Sequence, residues 1–402
     1  MNKFKNMLKG DLTIWGAVVL IAFIGAVEVY SCTSMISYKQ LGGNTFIYPL
    51  KHVMYVFGGF VMMFLFSWFP YKKLARYADI AIIVSAVLLF LTLFTGESTN
   101  DAKRWFTIPI LGLSFQPSDF AKITLMLFLA KMLALAQVEP ETKWVCFLKC
   151  IGAIVCVCVF VFPANLSTAV LIAVACLFIL VLGNFPRKWI GGLVVAGILL
   201  GLVVVMFLKI AGGHTRVDTW VSRIETFVSG DQSAGHKKDF QAEQARIAIG
   251  LGGLKGYGIG NGVQIHTLPH PYSDFIFASV AHEMGIIGVV GLLVGYIVLF
   301  YRFIHVVYIS DRLFPALLVM GLSLNIILQT LANMLVAVGF FPVTGQPLPF
   351  VSMGGSSIIS TGIAIGIILN VSRYAEKKEP VAEIEQNEEE VEEIVDYPFM
   401  VG

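Results

Sequence analysis

The chain has 402 residues, of which 57% are hydrophobic and 13% are charged, and its mean hydropathy is +0.81. Soluble globular domains carry about 25% charged residues, so this composition excludes a soluble globule and predicts an all-α polytopic membrane protein. The formal net charge of +2 conceals an asymmetry, because residues 379–396 include nine acidic residues and no basic one. The rest of the chain is therefore basic. Basic cytoplasmic loops and an anionic substrate would both produce such a charge.

Apolar runs predict about ten transmembrane helices, since each run can cross a hydrocarbon core of ~30 Å with roughly 20 residues. The runs lie near residues 13–34, 53–69, 78–96, 117–137, 144–163, 167–184, 189–211, 275–301, 313–341 and 354–373. Lys3, Lys5 and Lys9 precede the first run and no small-residue cleavage site follows it, which predicts an uncleaved anchor helix. Lys and Arg are frequent in the connections after the even-numbered runs, so these connections and both termini are expected in the cytoplasm.

The pattern predicts one membrane domain, residues 1–374, with a large extracytoplasmic loop at 212–274 between the seventh and eighth helices. Residues 375–402 are expected to form a disordered acidic cytoplasmic tail, because they cannot bury enough apolar surface to offset their ordering entropy. This tail is either a solvated solubilising segment or a partner-binding peptide. All six cysteines lie in or beside apolar runs, so no disulfide framework is expected.

The start of the fourth run combines helix-start signals with charge. Pro117 suits the first helical turn, Asp119 suits its positive end, and Lys122 lies three residues on, on the same face. A lysine at this depth costs up to about 3 kcal/mol unless it snorkels, pairs or lines a wet cavity. Lys122 is therefore either one half of a local ion pair or a functional cation.

The large loop combines basic residues with a glycine-rich stretch. Glycines at this density between residues 250 and 262 let a backbone turn sharply or approach a ligand closely. Lys255 could meet a phosphate there, and a plain flexible re-entrant loop is the alternative. A dinucleotide-binding fingerprint is excluded, because that motif needs a strand before it and a helix after it in a soluble unit.

Asp274 closes the loop immediately before the eighth run, and this is where we place the chemistry. A carboxylate at the outer mouth of a membrane helix, downstream of Arg216, Arg223, Arg246 and Lys255, suits a reaction on a lipid-anchored, anionic substrate. Ser273 or Asp274 would also be a good N-cap for a helix beginning at Phe275. Because Asn caps about as well as Asp but cannot accept a proton, Asp274→Asn separates the two roles.

Two further groups of residues are candidates for function. Residues 344–357 open the last run, and free N–H groups at a glycine-rich helix start can bind an anion, although this segment could equally just end a loop and cap a helix. Glu28, His282 and Glu283 fall inside predicted spans, where they could be structural hydrogen-bonding groups. Of these, Glu283 is the preferred functional residue.

Taken in order, these segments resemble the SEDS family, the membrane glycosyltransferases of shape, elongation, division and sporulation that include FtsW, RodA and SpoVE. The matching pieces are Arg104-Trp105, Gln116 to Asp119 with Lys122, Arg223-Ile224, Gln241, Gln244, Ser273 to Phe277 with Glu283 and Gly285, and Pro342 to Ser357. Residues 261–264 are more similar to the division branch than to the elongation branch. Asp119 stands where the family usually has Glu, and Asn165 where it usually has Asp, so any role of that Asp in relatives does not carry over.

The resemblance implies polymerisation of lipid II into glycan strands on the outer face of the bacterial cytoplasmic membrane during septal wall synthesis. Asp274 would be the general base, and undecaprenyl diphosphate the leaving group. The expected partners are the nascent glycan, a class B penicillin-binding protein transpeptidase and other divisome membrane proteins, with no nucleic acid. The residues expected to bind the substrate are Arg104, Trp105, Gln116, Ser118, Lys122, Arg223, Gln244, Arg246, Lys255, Ser352 and Ser356.

A divalent cation, Mg²⁺ or Mn²⁺, would suit the diphosphate, although the sequence shows no dedicated ligand cluster for a metal. Two other functions fit the same residues. A lipid II flippase would need the basic cavity but no base, and a non-enzymatic divisome scaffold would need neither. Asp274→Asn distinguishes these readings, because only bond formation requires the carboxylate.

Overall fold

The computed structural model describes residues 9–40, 46–95, 97–99, 102–108, 113–210, 237–262, 268 and 271–376. Within these residues the chain forms eleven α-helices. They are α1 (Leu12–Gln40), α2 (Ile47–Trp68), α3 (Tyr71–Thr95), α4 (Pro117–Val138), α5 (Lys143–Val161), α6 (Leu166–Leu182), α7 (Arg187–Ile210), α8 (Lys237–Gly252), α9 (Ile276–Ile309), α10 (Leu313–Ala337) and α11 (Gly355–Glu376). Three short strands, β1 (Glu97–Thr99), β2 (Ala102–Ile108) and β3 (Leu113–Phe115), form an antiparallel sheet between α3 and α4.

All helices except α8 correspond to the ten predicted runs, which confirms the all-α polytopic membrane fold. In the described part of the chain, eight helices are long and apolar enough to span a membrane, and the 17-residue α6 is a shorter apolar helix. Large apolar side chains such as Phe57, Phe94 and Ile287 are exposed on these helices. Such an outer surface suits contact with lipid tails, which are as apolar as leucine.

The connections that contain β1 to β3 and α8 have structure that hydropathy did not indicate. α8 lies within the loop predicted at 212–274 and packs against α9 and α10. The sheet pairs Trp105 with Glu97 and Phe106 with Phe115. Helix ends also differ from the predicted runs, since α3 begins at Tyr71 rather than near residue 78 and α9 continues to Ile309. Hydropathy marks apolar length only, so it misses short polar helices and the polar ends of long ones.

α11 lies at the centre of the bundle. In its spanning window 83% of residues are buried, compared with 22% in α2. α11 packs closely against α2 through glycines, because a Cβ on Gly362 would collide with the backbone of Gly59, and a Cβ on Gly59 would lie 2.8 Å from Ile358. Small residues of this kind allow membrane helices to approach each other closely. The six cysteines carry no disulfide, as expected.

One end of the bundle is fastened by polar contacts between distant helices. Arg302 of α9 forms an ion pair with Asp11, just before α1. The Asp11 N–H donates to the hydroxyl of Ser372 (3.1 Å), and the Tyr71 N–H donates to the amide oxygen of Asn370 (3.0 Å), both acceptors being on α11. Three parts of the chain meet at the opposite end: the sheet, the segment from α8 to α9, and the segment between α10 and α11. We call this opposite end the loop end, and it holds the polar site.

Candidate active site

The helix that follows Asp274 is broken at Gly285, whose φ of 63° and ψ of −159° are not helical. The break leaves backbone groups without their usual helical partners, and the glycine-rich segment 253–262 supplies new ones. The N–H of Tyr257 donates to the carbonyl of His282 (3.0 Å), and that of Gly258 to the carbonyl of Glu283 (2.9 Å). Irregular backbone inside a membrane protein needs such compensation, because lipid offers no hydrogen bonds.

Gly256 is the position in this segment that admits no side chain. Its φ is +72°, and a Cβ there would collide with the backbone of Glu283. Gly253 has a similar φ of +56° but nothing lies within 4 Å of a Cβ built on it. The density of glycines seen in the sequence is therefore explained, at least at Gly256, by close docking of the segment onto α9.

Asp274 lies in the turn before α9 and does not cap it. The helix begins at Ile276, and its N-cap residue, Phe275, makes no side-chain capping hydrogen bond. The half-buried Asp274 is instead held through its backbone, whose carbonyl accepts from Nδ2 of Asn333 (2.8 Å). One carboxylate oxygen accepts from the Ser273 hydroxyl (3.0 Å), and the other would lie 3.4 Å from a Cβ on Gly345. The capping alternative is thus not observed, and the carboxylate faces the segment between α10 and α11.

Tyr272 adds a protonated phenol beside this carboxylate. Burial, followed by the nearby Tyr48 and Asp274, raises the pKa of Tyr272 above its usual value of 10.0. The phenol therefore keeps its proton at neutral pH and remains a hydrogen-bond donor. Tyr272 was not among the residues predicted from the sequence.

Two serines expected to bind substrate are instead engaged by the protein backbone. Ser352 donates to the carbonyl of Ser273 (2.6 Å) and accepts from the N–H of Leu348 (2.7 Å). Ser356 accepts from the N–H of Gln116 (3.1 Å). Both serines are buried. They join the segment before α11 to the Asp274 turn and to the start of α4, so their visible role is to assemble the site.

Lys122 pairs with Asp119, as the helix-start pattern allowed. Its Nζ lies 3.0 Å from Oδ1 of Asp119 and donates to Oε1 of Gln329 at 3.3 Å. The pair is nearly enclosed, with 12% of the Lys122 side chain exposed. Ser118, one residue before Asp119, accepts from the side chain of Gln116 (2.8 Å). Lys122 is therefore bonded to Asp119 and Gln329 at the loop end and does not form an ion pair with Asp274.

Asn165 explains one departure from the family pattern. Its side-chain oxygen accepts from the N–H of Thr168 (3.2 Å), so it is the N-cap of α6. Asn and Asp cap helices about equally well, and the substitution preserves this function. The hydroxyl of Thr168 in turn accepts from the side chain of Gln346 (2.8 Å), which connects α6 to the segment before α11.

The remaining predicted cations do not pair with Asp274 among the described residues. Arg246 is exposed on α8 and packs beside Gly339 at the end of α10, and Lys255 is exposed in the glycine-rich segment. Arg216, Arg223 and the side chain of Arg104 lie outside the described residues. Gln244 and Trp105 are half-buried, on α8 and β2 respectively. In the described part of the chain no group of three or more His, Cys, Asp or Glu could hold a metal ion.

Glu283 connects α9 to α1 rather than facing Asp274. It accepts from the hydroxyl of Ser31 (2.6 Å), and that hydroxyl accepts from the N–H of Gly260 (2.9 Å). Glu28 accepts from the thiol of Cys32 on its own helix (3.4 Å). Both carboxyl groups are buried. This geometry supports the structural interpretation of Glu28 and Glu283.

Gln329 and Asn333, which are central to the polar network, were not predicted from the sequence. They lie four residues apart in the apolar helix α10, and therefore on one face. Polar side chains within membrane helices usually face the bundle interior and mark functional regions. This spacing was the signal that could have identified them.

Comparisons with known proteins agree with this architecture. The protein named "Probable peptidoglycan glycosyltransferase FtsW" of Bacillus subtilis (strain 168) is 29% identical over 392 residues, covering 94% of this chain and 96% of that protein. The protein of the same name from Coxiella burnetii (strain RSA 493 / Nine Mile phase I) is 30% identical over 384 residues, covering 92% and 99%.

Two solved structures share the fold at 24% sequence identity. One comes from work described as "Structural coordination of polymerization and crosslinking by a peptidoglycan synthase complex" and aligns with a TM-score of 0.71, covering 92% of this chain and 99% of that chain. The other, the rod shape determining protein RodA of Thermus thermophilus, aligns with a TM-score of 0.65, covering 93% and 100%. At this identity the likeness is one of fold alone.

The family described as "Cell cycle protein", comprising FtsW, RodA and SpoVE, matches residues 11–377. This range includes the whole helical bundle, the Asp274 turn and the segment before α11. The chain therefore belongs to the FtsW/RodA/SpoVE family of cell cycle proteins.

Proposed function

We propose that this protein is a peptidoglycan glycosyltransferase that polymerises lipid II into glycan strands during septal wall synthesis. Relatives that align over nearly their whole length are named for that activity. The observation that carries the proposal is the state of Asp274. Its backbone is anchored by Asn333, while its carboxylate neither caps α9 nor forms an ion pair among the described residues.

Asp274 acts as the general base in this proposal. An acceptor sugar hydroxyl gives its proton to the carboxylate as its oxygen bonds to the anomeric carbon of the donor sugar. The bond from that carbon to the diphosphate breaks, and undecaprenyl diphosphate leaves with the bonding electrons. A positioned base of this kind contributes typically ~10²- to 10⁴-fold in rate.

Basic side chains stabilise the charge of the diphosphate. Lys122 is the best-placed candidate in the described structure, because it is nearly enclosed at the loop end and is joined through Gln329 to the segment that faces Asp274. Arg104, Arg246 and Lys255 are the further candidates. The described residues offer no cluster that fits a resident Mg²⁺ or Mn²⁺, so no step of the proposal depends on one.

The loop end faces outward from the bacterial cytoplasmic membrane in this proposal, with both termini in the cytoplasm. Basic residues concentrated in the connections at the opposite end support this orientation. A class B penicillin-binding protein is the proposed partner, supported by the fold shared with a chain of a peptidoglycan synthase complex. Such a partner would cross-link the strands that this protein produces.

The test is conversion of fluorescent lipid II to glycan by the purified protein together with its transpeptidase. We expect wild type to form polymer and Asp274→Asn to lose it by ~10² or more. Asp311→Asn is the matched control, because Asp311 is an exposed aspartate at the opposite end of the bundle, between α9 and α10. Transport of lipid II without polymer would indicate a flippase. Absence of polymer with the wild-type protein, together with normal growth of cells that carry Asp274→Asn and still assemble the partner complex, would indicate a scaffold.

A further inference from the structure

α10 carries three carboxamide side chains at one-turn spacing, Asn325, Gln329 and Asn333. Residues four apart lie on the same helix face, so the three form a polar stripe along an otherwise apolar helix. Among the described residues Asn325 makes a single local bond, from its Nδ2 to the carbonyl of Gly321 on its own helix (3.2 Å). Gln329 and Asn333, nearer the loop end, instead bond to other segments.

Asn333 joins the two segments that enclose the carboxylate. Its Nδ2 donates to the carbonyl of Asp274 and to the carbonyl of Gln346, each at 2.8 Å. Because both acceptors are carbonyls, the amide must present its nitrogen to them, and its orientation is fixed. Asn333 is 1% exposed, and its oxygen has no hydrogen-bond partner in the described structure. Burying an unpaired amide oxygen is unfavourable, so the two donated bonds account for an amide at this position.

Gln329 makes the corresponding connection on the cationic side. Its Oε1 accepts from Lys122 (3.3 Å), and its Nε2 donates to the carbonyl of Pro347 (2.8 Å) and to the hydroxyl of Ser357 (3.2 Å). Pro347 follows Gln346 directly in the chain. Gln346 and Pro347, which are adjacent in the chain, are therefore bonded to successive turns of α10. The turn with Asn333 also bonds to Asp274, and the turn with Gln329 also bonds to Lys122.

We propose that Asn333 and Gln329 are positioning residues that set Asp274 and Lys122 relative to each other through the rigid frame of α10. The proposal rests on the proposed glycosyltransferase function, since it assigns the roles of base and diphosphate-binding cation to these two side chains. Neither positioning residue touches the reacting atoms. Asn333 acts through the backbone of Asp274, and Gln329 acts through the ammonium group of Lys122. A displacement of about 1 Å in a reacting group can lower a rate by ~10²-fold.

The experiment measures kcat and KM for lipid II polymerisation in the complete complex of this protein with its transpeptidase. Asn333→Leu keeps the branched shape of the side chain, with somewhat more volume, but removes both donated bonds, and we expect kcat to fall ~10- to 100-fold with KM changed less than about twofold. Asn325→Leu is the matched control, since it removes a carboxamide whose one hydrogen bond in the described structure lies within α10. We expect it to retain kcat within about twofold of wild type.

A double variant separates positioning from general destabilisation. If Asn333 acts through Asp274, Asn333→Leu should not lower the residual rate further when Asp274 is already Asn, because coupled residues are not additive. An equal further loss in that background would overturn the proposal, as would wild-type kcat in Asn333→Leu alone. The thermal midpoint of each variant is measured alongside, and Asn333→Ala is the second variant if Asn333→Leu is poorly folded. Wild-type activity in Asp274→Asn would instead refute the role of Asp274 as the base, and absence of polymer with the wild-type protein would refute the proposed function itself.

Discussion

At the residue scale, the hydrogen bonds of Asp274 show that it does not cap α9. Its carbonyl accepts a hydrogen bond from Asn333, and in the described structure its carboxylate accepts one hydrogen bond, from the hydroxyl of Ser273. A capping aspartate would direct its carboxylate to the N–H groups of the first helical turn. The absence of that contact from the described structure leaves the carboxylate available to a substrate.

Ser352 provides a prediction at the same scale. Its hydroxyl connects the carbonyl of Ser273 to the N–H of Leu348. Ser352→Ala removes the partner of the buried N–H of Leu348 and of the half-buried carbonyl of Ser273, and an unpaired buried group costs about 1–3 kcal/mol. We expect lower thermal stability and reduced polymerisation of lipid II.

The control for this prediction is Ser360→Ala. Ser360 is also a buried serine of α11, and its one hydrogen bond in the described structure is donated to the carbonyl of Ser357 on the same helix. We expect near-normal polymerisation and a smaller change in the melting temperature. Equal loss of activity in both variants would contradict the assembly role of Ser352.

The sequence predicted some of these residues and missed others for a physical reason. Pro117, Asp119 and Lys122 are close in sequence, so their helix-start geometry and ion pair could be predicted locally. The bond from Asn333 to Asp274 joins residues 59 positions apart. Such a contact depends on how α9 and α10 pack, and no local pattern specifies it.

At the element scale, the break in α9 and the segment docked on it form one unit. The N–H of Ile286, just beyond the break, donates to the carbonyl of Gly253 (3.0 Å). The apolar run that forms α9 and the dense glycines are both visible in the sequence. The sequence did not predict that the glycine-rich segment completes the hydrogen bonds of α9. The reason is that the break itself, a φ of 63° at Gly285, is visible only in the structure.

Gly256→Ala tests this unit. A Cβ at residue 256 would collide with the backbone of Glu283 and would also strain a φ of +72°. We expect a lower melting temperature, faster hydrogen exchange in the first turns of α9, and loss of polymerisation. Gly253→Ala imposes similar strain, about 1–2 kcal/mol, but meets no atom within 4 Å. If Gly253→Ala proves as damaging as Gly256→Ala, close docking is not the reason for the glycine.

At the scale of the whole molecule, the two ends of the bundle are built differently. One end is fastened by Asp11, Arg302 and Asn370, and the loop end carries the polar network. The positions and order of the apolar helices could be predicted, because hydropathy and length report directly on burial in lipid. α8 and the sheet could not, because they are short and lie outside the apolar runs.

The orientation of these ends can be measured by cysteine labelling. Lys255→Cys places a thiol on an exposed residue of the loop end, and Asp311→Cys places one on an exposed residue of the opposite end. We expect a membrane-impermeant maleimide to label residue 255 in intact cells, and residue 311 only after permeabilisation. The native protein is the control, since its six cysteines are buried or half-buried. The reverse labelling pattern would place the site in the cytoplasm.

The most direct measurement compares lipid II binding and glycan formation in one preparation of Asp274→Asn. Asn is close to Asp in size and can still accept the bond from Ser273, so we expect binding within about twofold of wild type and polymerisation lower by ~10²- to 10⁴-fold. Undiminished polymerisation with normal binding would show that the carboxylate is not the base, and would contradict the account.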